Sequence, residues 1–217
     1  METLLLWLHI LNGSAALLAG AGALLARKGG KYHARAGVIF FWAMAVVLAT
    51  AVLLALYKTN FFLLCIAVFS FYLTYTGYRA AHFSRQQSFG PGLTDKLVLW
   101  LTTAVATVMV GMGLLPLLQG KAGMHLVLLV FGFILLLNCM LDIRLFYFNI
   151  SLPPRAFLLS HIGRMCGAYI ATITAVLVTN FHAEPQFLVW LLPTAIGTPF
   201  ISISINRWRK KLRLVHA

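Results

Sequence analysis

The chain has 217 residues, 61% hydrophobic and 10% charged, with 17 Lys and Arg against 4 Asp and Glu, a formal net charge of +13. A soluble domain is nearer half apolar and about a quarter charged, so a soluble core of this size could not hide so much apolar surface. The basic residues do not gather on one soluble module, as a nucleic-acid binder would require; they follow the connections between apolar stretches, which points to an integral membrane protein and away from nucleic acid as a partner.

Seven apolar stretches, near 4–26, 36–57, 61–81, 97–118, 124–147, 156–179 and 187–205, predict an all-α bundle of seven transmembrane helices forming a single domain over 1–217. Each has the roughly 17–25 residues needed to cross the hydrocarbon, and only a helix satisfies its own backbone there. The first stretch carries Glu2 where a signal peptide would be basic and is longer than such a peptide's apolar run, so it reads as a retained span. His9, Gly13, Ala16 and Gly20 share one stripe of it. A tight turn, Lys28-Gly-Gly-Lys31, leads to His33-Ala-Arg35-Ala-Gly37 at the second span. The third holds Tyr72, Tyr75 and Tyr78, which with Trp42 are expected as interface and packing aromatics, followed by Arg79 and His82.

Ser88-Phe-Gly-Pro-Gly92 breaks the chain, and Thr94-Asp95 is expected to cap the fourth helix. The fifth span opens on His125, with Gly132 on the same face, and buries Asp142 one turn from its end; an intramembrane carboxylate needs a partner, for which Arg79 and Arg164 are the candidates. Ser151-Leu-Pro-Pro154 separates it from the sixth span, which carries His161, Arg164, Ala168 and Ala175. His182 lies in the next loop. Pro193, Gly197 and Pro199 fall in the seventh span, where a kink is expected and a substrate-lining break is the alternative. Cys65, Cys139 and Cys166 fall in spans without a C-x-x-C pair and read as small buried hydrophobes. A short echo between the first two spans and the fifth and sixth suggests a parallel repeat of two hairpins.

If the connections alternate sides, one side receives fifteen of the seventeen basic residues and the other only Lys58 and Lys121. Cytoplasmic loops retain Lys and Arg, which predicts the N-terminus outside and the C-terminus cytoplasmic. The basic tail from Arg207 to Arg213, with Trp208 as an interface residue, is expected to lie against anionic headgroups at the cytoplasmic face.

On that topology His9, His125 and His182 fall near the outer face, and His33, His82, His161 and His216 near the inner one. His182 and His216 read as wet helix-end residues. His9, His33, His125 and His161 stand beside small residues, as an axial imidazole with room for a flat macrocycle would, and imidazole is a usual ligand of haem iron. The leading expectation is therefore haem b: His9 with His125 outside, and His33 or His82 with His161 inside. Arg35, Arg79 and Arg164 would meet propionates, forming an electron path toward a quinone or redox protein. Small residues also allow helices to pack without any ligand. A different class is a zinc-dependent seven-span membrane hydrolase using His33, His82, His161 and Asp142; a third is a small transporter or assembly factor without a cofactor. No P-loop, nucleotide-binding glycine fingerprint or nucleophile–base set is present in the sequence.

The stretch His161-Ile-Gly-Arg164-Met165-Cys-Gly167-Ala168-Tyr169-Ile170-Ala171, an H-x-x-R-M-x-G-A-Y-I-A-like motif, resembles one from an uncharacterised bacterial multi-pass membrane family described as a domain of unknown function. Leu8-His9-Ile-x-x-Gly13 and His33-Ala-Arg35-Ala-Gly37 are similar to that family as well. The resemblance covers most of the chain. It implies a seven-helix bundle in a bacterial inner membrane and carries over no catalytic residue.

Overall fold

The apolar stretches become helices: α1 (Glu2–Leu25), α2 (Lys31–Lys58), α3 (Phe61–Gln86), α4 (Leu93–Leu118), α5 (Met124–Tyr147), α6 (Ala156–Asn180) and α7 (Gln186–Lys211). The computed structural model describes residues 2–86, 89–121, 123–148, 152–153 and 155–212; Ser88, Ser151, Pro154, Arg213 and His216 lie outside them. Among the described residues there is no strand, and all seven helices are long and apolar enough to cross a membrane. The protein is an all-α, multi-pass architecture of membrane-spanning length.

The ends of the helices differ from expectation in one systematic way. At the lysine-poor end of the bundle every helix begins or stops within two residues of the predicted boundary. At the basic end α2 starts five residues early, α3 runs five further, α4 starts four early and α7 runs six further. Hydropathy marks the apolar segment, not the helix. Arg, Lys and Gln are good helix formers, so the helices continue past the apolar stretch on that side.

α3 is the central element. It packs against α2, α4, α5 and α6, while α1 lies between α2 and α6, and α7 between α6 and α5. The outward faces stay apolar, with Leu18 73%, Leu101 69% and Leu115 62% exposed, as lipid contact demands. Hydroxyls inside the helices bond back to the preceding turn, as Ser70, Thr74, Thr76 and Thr174 do. Among the described residues no buried side-chain polar atom lacks a partner.

Consecutive helices do not always pack together. α1 pairs with α2 and α4 with α5, but the backbones of α5 and α6 do not approach each other. The echo between the two segment pairs therefore does not become a repeated hairpin. α7 continues as one helix through Pro193 and Pro199, and α4 through Pro116.

Candidate functional site

α6 stands away from two of its neighbours. Its backbone approaches neither α2 nor α5, and side chains reach across both gaps. Across the first, His33 of α2 and His161 of α6 bring their ring centres to 6.1 Å, with planes 85° apart. His33 Nδ1 donates to the Ala23 carbonyl at 2.9 Å, and His161 Nδ1 donates to the Gly77 carbonyl at 2.9 Å. A carbonyl can only accept, so Nδ1 carries the proton in each ring; in the neutral imidazole the lone pair is then at Nε2, which has no hydrogen-bond partner among the described residues. Metal-binding histidines are commonly fixed by this kind of bond to a carbonyl. Gly77 is needed where α3 crosses α6: a Cβ there would stand 2.9 Å from Met165 Sδ and 3.2 Å from Arg164 Cβ. Gly37, one turn along α2 from His33, has open space where a side chain would be.

Across the second gap Arg164 of α6 grips Asp142 of α5, Nη1 to Oδ2 at 2.8 Å and Nη2 to Oδ1 at 2.6 Å. The Tyr72 hydroxyl of α3 donates to the same carboxylate at 2.6 Å. A second network repeats this chemistry one turn along α3. Arg79 donates twice to Asp95, both bonds at 2.7 Å, and Tyr75 donates to Asp95 at 2.8 Å. Asp95 also accepts the Gly92 N–H at 2.8 Å, capping α4. Both carboxylates are buried, at 4% exposure each, and a planar guanidinium matches such a group with two parallel bonds. The two networks line a small cavity of about 30 Å³, room for one or two waters. Phe83, Phe89 and Phe157 cluster at its end nearer the basic loops, Phe89 stacked on Phe157 and Phe83 edge-on to Phe89. A larger cavity of about 200 Å³ lies between α3, α5, α6 and α7, and Arg164 forms part of the wall of both.

The other expected residues fall elsewhere. His9 Nδ1 lies 3.0 Å from Thr50 Oγ1, whose own hydrogen points to the Val46 and Val47 carbonyls, so the histidine donates and ties α1 to α2. His125 sits half-buried at the start of α5. The backbones of α1 and α5 do not approach, so His9 and His125 are not brought together as an outer pair. Two of the small residues beside them serve packing, Tyr169 filling the space over Gly20 and Met109 the space over Gly132, whereas Gly13 has open space beside it. His82 is exposed on α3. Asp142 is committed to Arg164 and Tyr72, so the four residues of the zinc set do not assemble; among the described residues no three His, Cys, Asp or Glu side chains are placed to share a metal ion. Arg164, a propionate candidate, is likewise committed to Asp142, whereas Arg35 is exposed at the basic end.

Sequence reasoning missed Tyr72 and Tyr75, which are carboxylate partners and not interface aromatics, and Gly77. A signal existed: Tyr72, Tyr75 and Arg79 fall at i, i+3 and i+7, one face of a helix. Tyr78 packs, stacked on Phe41 with ring centres at 4.5 Å, and Trp42 is 64% exposed. Compared with family models, with curated proteins and with solved structures, the chain matches none.

Proposed function

We propose that the protein is an electron carrier of the bacterial inner membrane, with its N-terminus outside and its basic C-terminus in the cytoplasm, holding one haem b-type group between His33 and His161. The observation that carries this reading is the histidine pair: two imidazoles from helices held apart, each anchored at Nδ1 and free at Nε2. With metal–nitrogen bonds of about 2 Å on either side, two imidazoles on one metal place their ring centres about 6 Å apart. Two ligands, with no third among the described residues, suit an axial haem pair; a closed zinc site asks for four.

His33 and His161 would ligate the iron, and Arg35, exposed at the basic end two residues beyond His33, is the candidate for a propionate. The Ala23 and Gly77 carbonyls hold the two rings in one tautomer and raise their basicity toward a metal. Haem bound there would supply one-electron chemistry, exchanged with a quinone or a redox protein. Orientation rests on the lysine and arginine bias, and on four helices that run past their apolar segments at that same end. Arg207, Arg209, Lys210 and Lys211 close α7, with Lys211 over the Trp208 ring at 4.6 Å. Against anionic headgroups each such residue near the surface contributes about 1 kcal/mol.

An absorbance spectrum of the purified protein, expressed with ample haem, tests the reading. We expect a Soret band that shifts on reduction, is lost in His33→Ala and in His161→Ala, and is retained in His125→Ala. A wild-type protein without a Soret band, or one whose band survives both inner substitutions, overturns it.

A further inference from the structure

The larger cavity is separate from the histidine pair, and its chemistry is specific. At about 200 Å³ it exceeds the dry cavity of about 150 Å³ that takes benzene in an engineered protein. A substituted six-membered ring therefore fits. Phe69, Leu73, Phe131 and Ile170 make most of the wall apolar. Two polar groups on it are incompletely used. Asn138 donates its amide nitrogen to the Ile134 carbonyl at 2.9 Å, which leaves Oδ1 without a partner among the described residues. Thr194 accepts a bond from Thr198 only at its backbone carbonyl, at 2.7 Å, so its hydroxyl is unengaged among the described residues. One wall group thus offers a donor and the other an acceptor.

α7 packs along α6 and meets α5 only lightly, so the α5–α7 seam is the loosest wall of this cavity, and in a bilayer it would face lipid. Thr194 and Thr198 directly follow Pro193 and precede Pro199, in the part of α7 where the sequence interrupts the helical bonding. An occupant must come from the hydrocarbon, be flat and mostly apolar, and carry an oxygen that can accept from Thr194 and, when protonated, donate to Asn138. A plain acyl chain satisfies the apolar wall and leaves both polar groups idle.

We propose that this cavity binds the ring of a lipid-soluble quinone. The choice of a redox ligand rests on the electron-carrier reading above; the cavity and its two polar groups do not. A ring seated here lies beside Arg164, which lines this cavity as well as the smaller one.

The test is equilibrium dialysis of the full-length protein in detergent micelles against a benzoquinone with a short isoprenoid tail. Wild-type protein should bind it saturably. Thr194→Val keeps the side-chain shape without the hydroxyl and should weaken binding about fivefold, the loss of one hydrogen bond. Ala171→Phe fills the cavity and should weaken it at least about tenfold, since a packed interior has no room for both rings. Non-saturable uptake overturns the proposal, as does an affinity unchanged in Thr194→Val, or equal affinity for a cyclohexane carrying the same tail. The two readings fail separately. Saturable quinone binding by a protein without a Soret band removes the haem and keeps this site, whereas a haem-bearing protein that binds no quinone removes this site alone.

Discussion

The α4–α5 and α5–α6 steps join consecutive antiparallel helices, and they are built in opposite ways. Between α4 and α5 the backbones close until a Cβ added at Gly113 would stand 2.5 Å from the Leu129 nitrogen, and one at Gly132 3.0 Å from the Val110 nitrogen. Met109, Val127, Phe131 and Leu135 seal that contact with almost no exposure. Between α5 and α6 the backbones stay apart, and the space holds a guanidinium, a carboxylate, a tyrosine hydroxyl and a cavity. Lipid tails are as apolar as leucine, so helices in a bilayer associate through close packing or through polar bonds. The first mode leaves no room for a ligand. The second creates room and fixes its polarity, and both of the proposed sites lie where α6 is held off its neighbours.

The strongest way to break this contrast is to remove one partner from the polar gap. Arg164→Leu leaves the Asp142 carboxylate with Tyr72 as its one remaining donor among the described residues. Stripping one member from a buried pair costs about 3–5 kcal/mol, because the remaining charge stays buried and uncompensated. Reversible unfolding in mixed micelles should show that loss. The double variant Arg164→Leu, Asp142→Leu should recover most of it, since replacing a whole buried pair by apolar groups is often neutral. A single variant as stable as wild type would mean that water, not protein, supports the carboxylate.

The packed step predicts a smaller and differently shaped effect. Gly132→Ala places a methyl 2.7 Å from Met109 Cβ and 3.0 Å from the Val110 nitrogen, so α4 and α5 must shift. Overpacking of this kind costs about 1–3 kcal/mol. Gly37→Ala is the control: nothing stands within 4 Å of its added Cβ, and alanine is the better helix former by about 0.5–1 kcal/mol. The same unfolding assay should order them as Gly37→Ala, wild type, Gly132→Ala from most to least stable. Equal stability of the two variants would dissolve the distinction between the steps.

Hydropathy alone carries the seven spans, because a bilayer accepts few other arrangements. It also places the lysine-poor helix ends well and undershoots the basic ones, where α2 and α7 continue on charged residues. Of the site, the sequence sorts His33 and His161 to one end and offers Arg164 as one of two partners for Asp142. It could not choose between His33 and His82 as partner to His161, because that depends on which face of α3 turns outward, a consequence of packing. It also paired His9 with His125, which requires α1 beside α5; α6 and α7 take the intervening positions around α3. Tyr72 and Tyr75 were illegible for a related reason: their carboxylates lie 70 and 20 residues away, and a tyrosine in a span reads by default as an interface residue.

The same ionic chemistry placed in water marks the weak limit of the comparison. Lys58 and Glu2 meet at 2.8 Å at the lysine-poor end, with side chains 56% and 38% exposed. They join the start of α1 to the end of α2, helices already tied by His9 and Thr50. An exposed pair gains little Coulomb energy and spends side-chain entropy to hold its geometry, so Glu2→Gln should cost less than about 0.5 kcal/mol. Raising the salt from 0.1 M to 1 M shortens the screening length from about 10 Å to about 3 Å, and the difference from wild type should then vanish. The Arg164–Asp142 pair, with side chains 11% and 6% exposed, should lose far less of its contribution over the same range. A salt response of equal size in both pairs would show that water reaches the α5–α6 gap freely, and the polar gap would then differ from the packed one only in its contents, not in its solvent.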